Sequence, residues 1–454
     1  SIAKTFVSET NNLAVNNIRG PHMSKHDNSK EQKIRVLFCD QLNLARGKYL
    51  PRSFASKGEA MLCKGVYSVT YSRQMVEAPH GGADQGLPDV CMKFDPQDYR
   101  TSWEPNSVIA LADVYEHERP FGLCGRSALK KAIKAWQAHG LTPMIGLEGE
   151  AYVVSKEDSK LVPYDAPGAC VYGTGIFNDP EGLMDLIWDE AAKCNIPIES
   201  LNAEFDSPQF ELTLRYSDAL SACDNFFLFK NLAREVLYKK GYLLSFLAKP
   251  FPEISGSGLH INISFTDKNG NNALADGVSK NNLSDLTKGC IAGLLKHHEA
   301  LSGVIAPTVN SYARLKPASM CGYWANWGHD HRAAAVRISS ETGTGARIEH
   351  RVGDGSANPY FAVAAALQAA LLGYENSYEL PPEELNDGFE KVSTTRHVGD
   401  SLGESISMLE ADKKLVSVLG SELIENYCAI KRAEIAELDG KSSEQIVAYY
   451  SHYI

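Results

Sequence analysis

The chain predicts an α+β fold in which a small β-rich domain precedes a larger domain, whose sheet has one polar face and is backed by helices. Three observations carry this. Short apolar runs separated by Gly- and Pro-rich stretches fill the first hundred-odd residues. Four later segments alternate apolar and polar residues with period two, the mark of a half-buried strand. Between and after them lie stretches with apolar residues at helical spacing.

Residues 1–24 stand apart: Gly20-Pro21-His22-Met23 reads as a protease and cloning scar, with Met23 a candidate native start. The first domain is assigned to 25–118 and the second to 119–454. Lys33 to Cys39 is an apolar strand, followed by Arg46 to Pro51, which the proline ends. Glu77 to Pro88 is a Gly- and Pro-rich loop, and Val90–Phe94 and Val108–Val114 are further strands. Arg126 to His139 is an amphipathic helix with Leu129, Ala132, Ile133 and Trp136 on one face, stopped by Gly140. Leu183–Cys194 and Ala219–Lys240 are long helices. Asn358-Pro359 caps and opens another that runs through Leu372. Beyond Tyr378 the chain is expected to be polar and helical.

The alternating segments carry the chemistry. In Pro143 to Val154, Ile145, Leu147, Ala151 and Val153 share one face and Glu148 and Glu150 the other. Two carboxylates side by side repel, and desolvating both is costly without a cation. Phe210, Leu212 and Leu214 face inward opposite Gln209, Glu211 and Thr213, while Glu204 precedes the turn at Ser207-Pro208. Leu259, Ile261, Ile263 and Phe265 alternate with His260, Asn262 and Ser264; the fourth case groups Arg347, Glu349 and Arg351.

Each of these residues has a bland reading as a solvated or hydrogen-bonded side chain. Joined in one sheet, Glu148, Glu150, Glu204, Glu211, His260 and Glu349 divide into two three-ligand sites for hard divalent ions, Mg²⁺ or Mn²⁺. Arg314, Arg332, Arg337, Arg347 and Arg351 suit bidentate recognition of phosphate and carboxylate. Metals with arginines match phosphoryl transfer, whereas a glycosidase uses two carboxylates without such a cationic set. No Gly-x-x-x-x-Gly-Lys-Ser/Thr loop exists, so a nucleotide is not held in P-loop fashion. A net charge of −11 disfavours nucleic-acid binding, and no run of about 18 apolar residues predicts a membrane span. Ten scattered cysteines without a Cys-x-x-Cys pair fit buried thiols in a reducing cytoplasm.

In order and spacing, Glu148-x-Glu150, Glu204 to Glu211, Gly256-Ser-Gly-Leu-His260, Asn310-Ser-Tyr-x-Arg314, Arg332 to Arg337, Arg347-Ile-Glu-x-Arg351 and Asn358-Pro-Tyr360 resemble the glutamine synthetase superfamily from about Lys33 onward. Arg46-Gly-Lys48 and Pro88-Asp-Val90 through Trp103 resemble its N-terminal β-grasp region. The resemblance implies a catalytic domain with a curved antiparallel sheet forming a funnel. It places one metal on Glu150, Glu204 and Glu211 and another on Glu148, His260 and Glu349, with two or three ions per site. Gly256, Ser255, Arg314 and Arg351 would hold substrate glutamate, Arg332 and Arg351 would contact the transferred phosphoryl group or glutamate, and Arg314, Arg332 and Arg351 would be the catalytic residues. Glu199, Asn262, Ser264, Arg337 and Arg347 would serve ATP. The implied reaction is an ADP-forming carbon–nitrogen ligation through γ-glutamyl phosphate, run by a ring homo-oligomer, usually a dodecamer.

Departures from the family bear on the acceptor. Ammonium-using members carry a glutamate soon after the Asn-Ser-Tyr-x-Arg arginine; here Pro317-Ala-Ser-Met320 places Met320 there. No acid equivalent to their first-domain aspartate is found around Gly65-Val-Tyr-Ser68. Trp327-Gly-His-Asp-His-Arg332 and Arg351-Val-Gly-Asp-Gly-Ser-Ala357 resemble the glutamate–putrescine ligase branch. Ser255 and Asn262 replace an asparagine and a histidine common in the family. The leading expectation is a γ-glutamylamine ligase for a polyamine, alkylamine or ethanolamine. The alternatives are a true glutamine synthetase and a catalytically silent regulatory homologue.

Overall fold

The structure is a computed structural model that describes residues 33–157, 160–280 and 282–454; the expected remnant at 1–24 lies outside the described residues. The N-terminal domain holds strands β1 (Lys33–Cys39), β2 (Ala45–Pro51), β3 (Glu59–Cys63), β4 (Asp89–Lys93), β5 (Arg100–Thr101), β6 (Ser107–Leu111), β7 (Asp113–Glu116) and β8 (Arg119–Pro120). They form two four-stranded sheets, ordered β2-β1-β6-β5 and β3-β4-β7-β8. Strand β1 reads as an unbroken apolar run because both its faces are covered. Ile34, Val36 and Phe38 enter the domain's own core, while Leu37 and Cys39 enter the core of the second domain. The single strand expected over Val108–Val114 is two, because the chain changes sheets at Ala112: β6 runs parallel to β1 and β7 pairs with β4.

In the second domain helix α1 (Gly125–Gln137) leads into the long strand β9 (Thr142–Glu157) and β10 (Lys160–Pro163). After α2 (Leu183–Lys193) come β11 (Ile198–Ala203), β12 (Gln209–Leu214), β13 (Ser217–Asp218), α3 (Ala219–Tyr238), β14 (Tyr242–Ser245) and β15 (Leu259–Thr266). A small hairpin, β16 (Val278–Ser279) and β17 (Asn282–Leu283), precedes helices α4 (Asp285–Lys296), α5 (His298–Ile305) and α6 (Ser311–Arg314). Strands β18 (Trp327–His329), β19 (Val336–Ile338) and β20 (Ile348–His350) complete a ten-stranded sheet whose main path is β11-β12-β9-β15-β20-β19-β18. The sheet departs from the expected antiparallel pattern at one place: residues 330–335 loop back, so β19 restarts parallel to β18.

Helices α1 and α3 cover the apolar face of β9, burying Ile145, Leu147, Ala151 and Val153. Gly149, between the two glutamates, faces α3; a Cβ there would lie 2.9 Å from the Phe226 ring. Helix α7 (Pro359–Glu375) is apolar on all sides and buried through Gly373, as a central helix must be. Its cap, Asn358, accepts from the Phe361 N–H at 3.0 Å and donates to the Asp40 carbonyl at 2.7 Å, joining the two domains.

The tail differs from its expected helical character. Helices resume only at α8 (Leu402–Ala411), followed by α9 (Lys413–Leu419), α10 (Ser421–Leu438) and α11 (Ser443–Tyr450). Residues 379–400 are irregular because Glu384 organises them. Its carboxylate accepts from Asn326, from the Asn386 backbone and side chain, and from the Ser393 backbone and hydroxyl. Among the described residues no helix is long and apolar enough to cross a membrane. All ten cysteines are free; seven are buried, Cys91 is half-buried, and Cys63 and Cys170 are exposed.

Candidate active site

Sheet register assembles the polar face. Glu150 pairs with Glu211 across β9 and β12, Glu148 with His260 across β9 and β15, and Glu349 with both Asn262 and Arg337. Cross-strand partners point to the same side. Ligand atoms of Glu148, His260 and Glu349 therefore gather within 4.8 Å of one another, as do those of Glu150, Glu211 and His260. The first group is the expected trio. In the second, His260 stands where Glu204 was expected. Glu204 follows the end of β11 and accepts from Asn202 and from the Phe205 N–H, each at 3.3 Å, outside the tight group.

Electrostatics separate the carboxylates. Burial by itself would raise Glu349, but His260, Arg351 and Arg337 hold it down to about 2. It pairs with Arg351 and, at 2.7 Å, with Arg337. Glu211 has no arginine pair among the described residues; burial, then Glu148, push it up to about 7 against the opposing pull of His260. Burial and the neighbouring Glu150 also raise Glu204. The His260 imidazole Nδ1 lies 3.3 Å from Glu148 and 3.4 Å from Glu349. Although burial and Arg351 oppose it, these acids raise its pKa. An oxygen-rich, thiol-free donor set with excess negative charge at Glu211 fits a hard divalent ion, with these residues as the holders.

The remaining expected residues frame this face. Asn262 donates to Glu148 at 2.8 Å and accepts from Arg347 at 3.2 Å; Arg347 also pairs with Glu341 at 2.9 Å. Ser264 is half-buried on the same strand face. Arg337 reaches Asp330 at 3.1 Å. Arg332 is exposed, and its carbonyl accepts from Arg351 at 3.0 Å. Arg314 is buried and donates to the Val352 and Arg351 carbonyls at 2.8 and 3.3 Å. Its stem fills the space at Gly256, where a Cβ would come 2.8 Å from Arg314 Cγ, so only glycine fits. The Ser255 N–H donates to Asp206 at 2.6 Å and its carbonyl accepts from Tyr152 at 2.8 Å. Glu199 is exposed in edge strand β11, at a register irregularity between Ile198 and Ser200, and belongs to neither group.

Four residues around the site carried no role in the sequence reading. Gln209 donates to the Gly256 carbonyl and Ser257 hydroxyl, each at 3.0 Å; Asp206 holds Ser255; the Gly258 N–H donates to Glu150 at 2.7 Å; Asp330 steadies Arg337. Each lay inside a segment singled out in the sequence, Gln209 in the alternating run and Asp206, Gly258 and Asp330 within quoted motifs, but none had a pattern of its own that marked a role.

Residues 122–450 match the family described as glutamine synthetase, catalytic domain. The chain belongs to the glutamine synthetase family. Its members are ATP-dependent, metal-using carbon–nitrogen ligases, and this chain is a ligase of that family. It is 31% identical over 411 residues to the glutamine synthetase of Pyrococcus furiosus, covering 88% of this chain and 89% of the relative. It is 30% identical over 427 residues to the gamma-glutamylputrescine synthetase PuuA of Escherichia coli, covering 90% and 89%. The solved structure of apo GmaS superposes with a TM-score of 0.79 at 25% identity, covering 92% of this chain and 96% of that one. A glutamine synthetase and a gamma-glutamylputrescine synthetase are thus similarly distant from this chain.

Proposed function

We propose that this ligase activates the γ-carboxylate of glutamate with ATP and transfers the γ-glutamyl group to a carbon-bearing amine, a polyamine, alkylamine or ethanolamine. The observation that carries the acceptor is Met320. It is 51% exposed where ammonium-using members of the family have a glutamate. A thioether offers no charge to hold ammonium, and its apolar surface favours a carbon chain.

The γ-carboxylate and the γ-phosphate are both anions, so their approach is unfavourable until charge is neutralised. Glu148, His260 and Glu349, and Glu150 and Glu211 with His260 between the two groups, would hold divalent ions, which would supply part of that neutralisation when bound. Arg337 and Arg351, oriented by Glu349, supply fixed positive charge without reorganisation. A carboxylate oxygen attacks the γ-phosphorus in line, the bond to ADP breaks, and an acyl phosphate forms. The amine nitrogen then attacks the carbonyl carbon, the bond to phosphate breaks, and the nitrogen gives up a proton. Asn262 and Arg347, bonded to each other beside Glu148, flank the nucleotide side; Gly256 and Arg314 shape the glutamate side.

Phosphate release with glutamate, ATP and Mg²⁺ tests this across putrescine, ethanolamine, short alkylamines and ammonium. The expected outcome is a carbon-bearing amine preferred over ammonium by at least tenfold in kcat/KM. Turnover with ammonium alone would make the protein a true glutamine synthetase, and no turnover with any acceptor would make it a silent homologue.

A further inference from the structure

Residues 351–358, between β20 and α7, are buried throughout. Their carbonyls are gripped from several elements. Arg314 holds Arg351 and Val352, and the Leu259 N–H of β15 donates to Gly353 at 2.8 Å. The Gly355 carbonyl receives the Lys230 ammonium of α3 at 2.7 Å and the Asn43 amide of the N-terminal domain at 3.3 Å. Asn43 also donates to the Ser356 carbonyl at 3.4 Å. A Cβ at Gly355 would lie 2.8 Å from Phe246 Cβ, and the Lys230 ammonium sits 5.3 Å from the centre of that ring.

Lys230 is 4% exposed and, among the described residues, forms no ion pair. Burial, then Arg234, push its pKa down to about 7. Cys39 and the buried Asp354 oppose that shift only in part; a buried ammonium without an ion pair costs several kcal/mol, and a methionine would fill the same space without that cost. Packing therefore gives no reason for a lysine here. What the charge does is hold one carbonyl of the segment that begins with Arg351.

We propose that Lys230 is a positioning residue for phosphoryl transfer: with Asn43 it clamps the Gly355 carbonyl, and this clamp fixes the buried segment that opens with Arg351. The inference rests on the ligase reading of that site. It also makes the N-terminal domain, through Asn43, part of the support for the catalytic arginine.

The test uses hydroxylamine as acceptor, so that it does not depend on the natural amine; hydroxylamine displaces phosphate from the acyl phosphate and leaves a γ-glutamyl hydroxamate. Lys230→Met is expected to melt at or above the wild-type temperature. Its kcat should fall about 10- to 100-fold, the scale of a misplaced catalytic group, while KM for glutamate and ATP stays within about twofold. Asn43→Gly, which suits the φ of +61° at that position, should give a smaller loss of the same kind. The double variant should lose less than the product of the two, because both act on one carbonyl. A Lys230→Met enzyme with wild-type kcat, or one whose loss only follows its unfolded fraction, overturns the proposal. Should Lys230→Met fail to fold, an unchanged kcat in Asn43→Gly overturns it. A wild-type protein that makes no hydroxamate removes the ligase reading itself and the proposal with it.

Discussion

Glu349 keeps its charge because Arg337 and Arg351 sit on it, whereas Glu211, with no arginine pair among the described residues and only His260 to oppose burial and Glu148, is raised to about 7. Their amide variants should consequently move stability in opposite directions. Glu349→Gln leaves two guanidinium groups short of an anion, one of them buried, and should destabilise the metal-free protein by roughly 3 kcal/mol. Glu211→Gln removes a crowded carboxylate and should stabilise the metal-free protein by at least about 1 kcal/mol. The same Glu211→Gln change should weaken Mn²⁺ binding on the order of 10- to 100-fold. Denaturant titration and Mn²⁺ titration check the pair. A Glu211→Gln protein less stable than wild type would show that Glu211 serves the fold rather than a cation.

At the scale of elements, β9 depends on Gly149 to let the Phe226 ring of α3 rest against the strand between the two glutamates. Gly149→Ala forces that ring or the strand to move and should cost about 1–3 kcal/mol. Because Glu148 and Glu150 flank this position, metal affinity should fall with it; a denaturation midpoint and a Mn²⁺ titration report both. The 379–400 segment depends on Glu384 in a different way. Burial would raise its carboxyl, but the Ser393 and Asn386 donors hold it down to about 2, against an ordinary 4.5. Its folded pKa is depressed, so its contribution is fully present above pH 4.5 and fades as pH falls toward 2. Glu384→Gln should flatten the fall in melting temperature over that window. An unchanged pH slope would show that other groups govern acid loosening.

At the scale of the molecule, the N-terminal domain is fastened to the helices of the second domain. Arg35 pairs with Glu235 at 2.7 Å, the Trp103 indole donates to the same carboxylate at 2.5 Å, and Thr70 donates to Glu437 at 2.6 Å. Apolar side chains stand uncovered on both domains: Tyr49, Phe54 and Met61 on the first, and Tyr172, Ile176, Phe177 and Phe205 on the second. Exposed apolar groups of this size suit self-association. We therefore expect a homo-oligomer, with a mass that is a multiple of the 49.7 kDa chain. Analytical ultracentrifugation checks it; a monomer at micromolar concentration would contradict it.

The sequence by itself determined which side chains share a face. Period-two alternation around Glu148, Glu150, Glu211, His260 and Glu349 is a local property of an extended backbone, and register carried it into the sheet intact. It likewise marked the helix that Asn358 caps, since capping is settled within a turn. Only the tertiary structure decided which oxygens meet: that His260 stands between both ligand groups, that Glu204 lies outside the second, and that β18 and β19 run parallel. It alone placed Lys230 and Asn43 on one carbonyl, because contacts across hundreds of residues leave no periodic trace in the chain. Alternation fixes direction relative to a strand, whereas distance between strands depends on how the whole sheet and its helices pack.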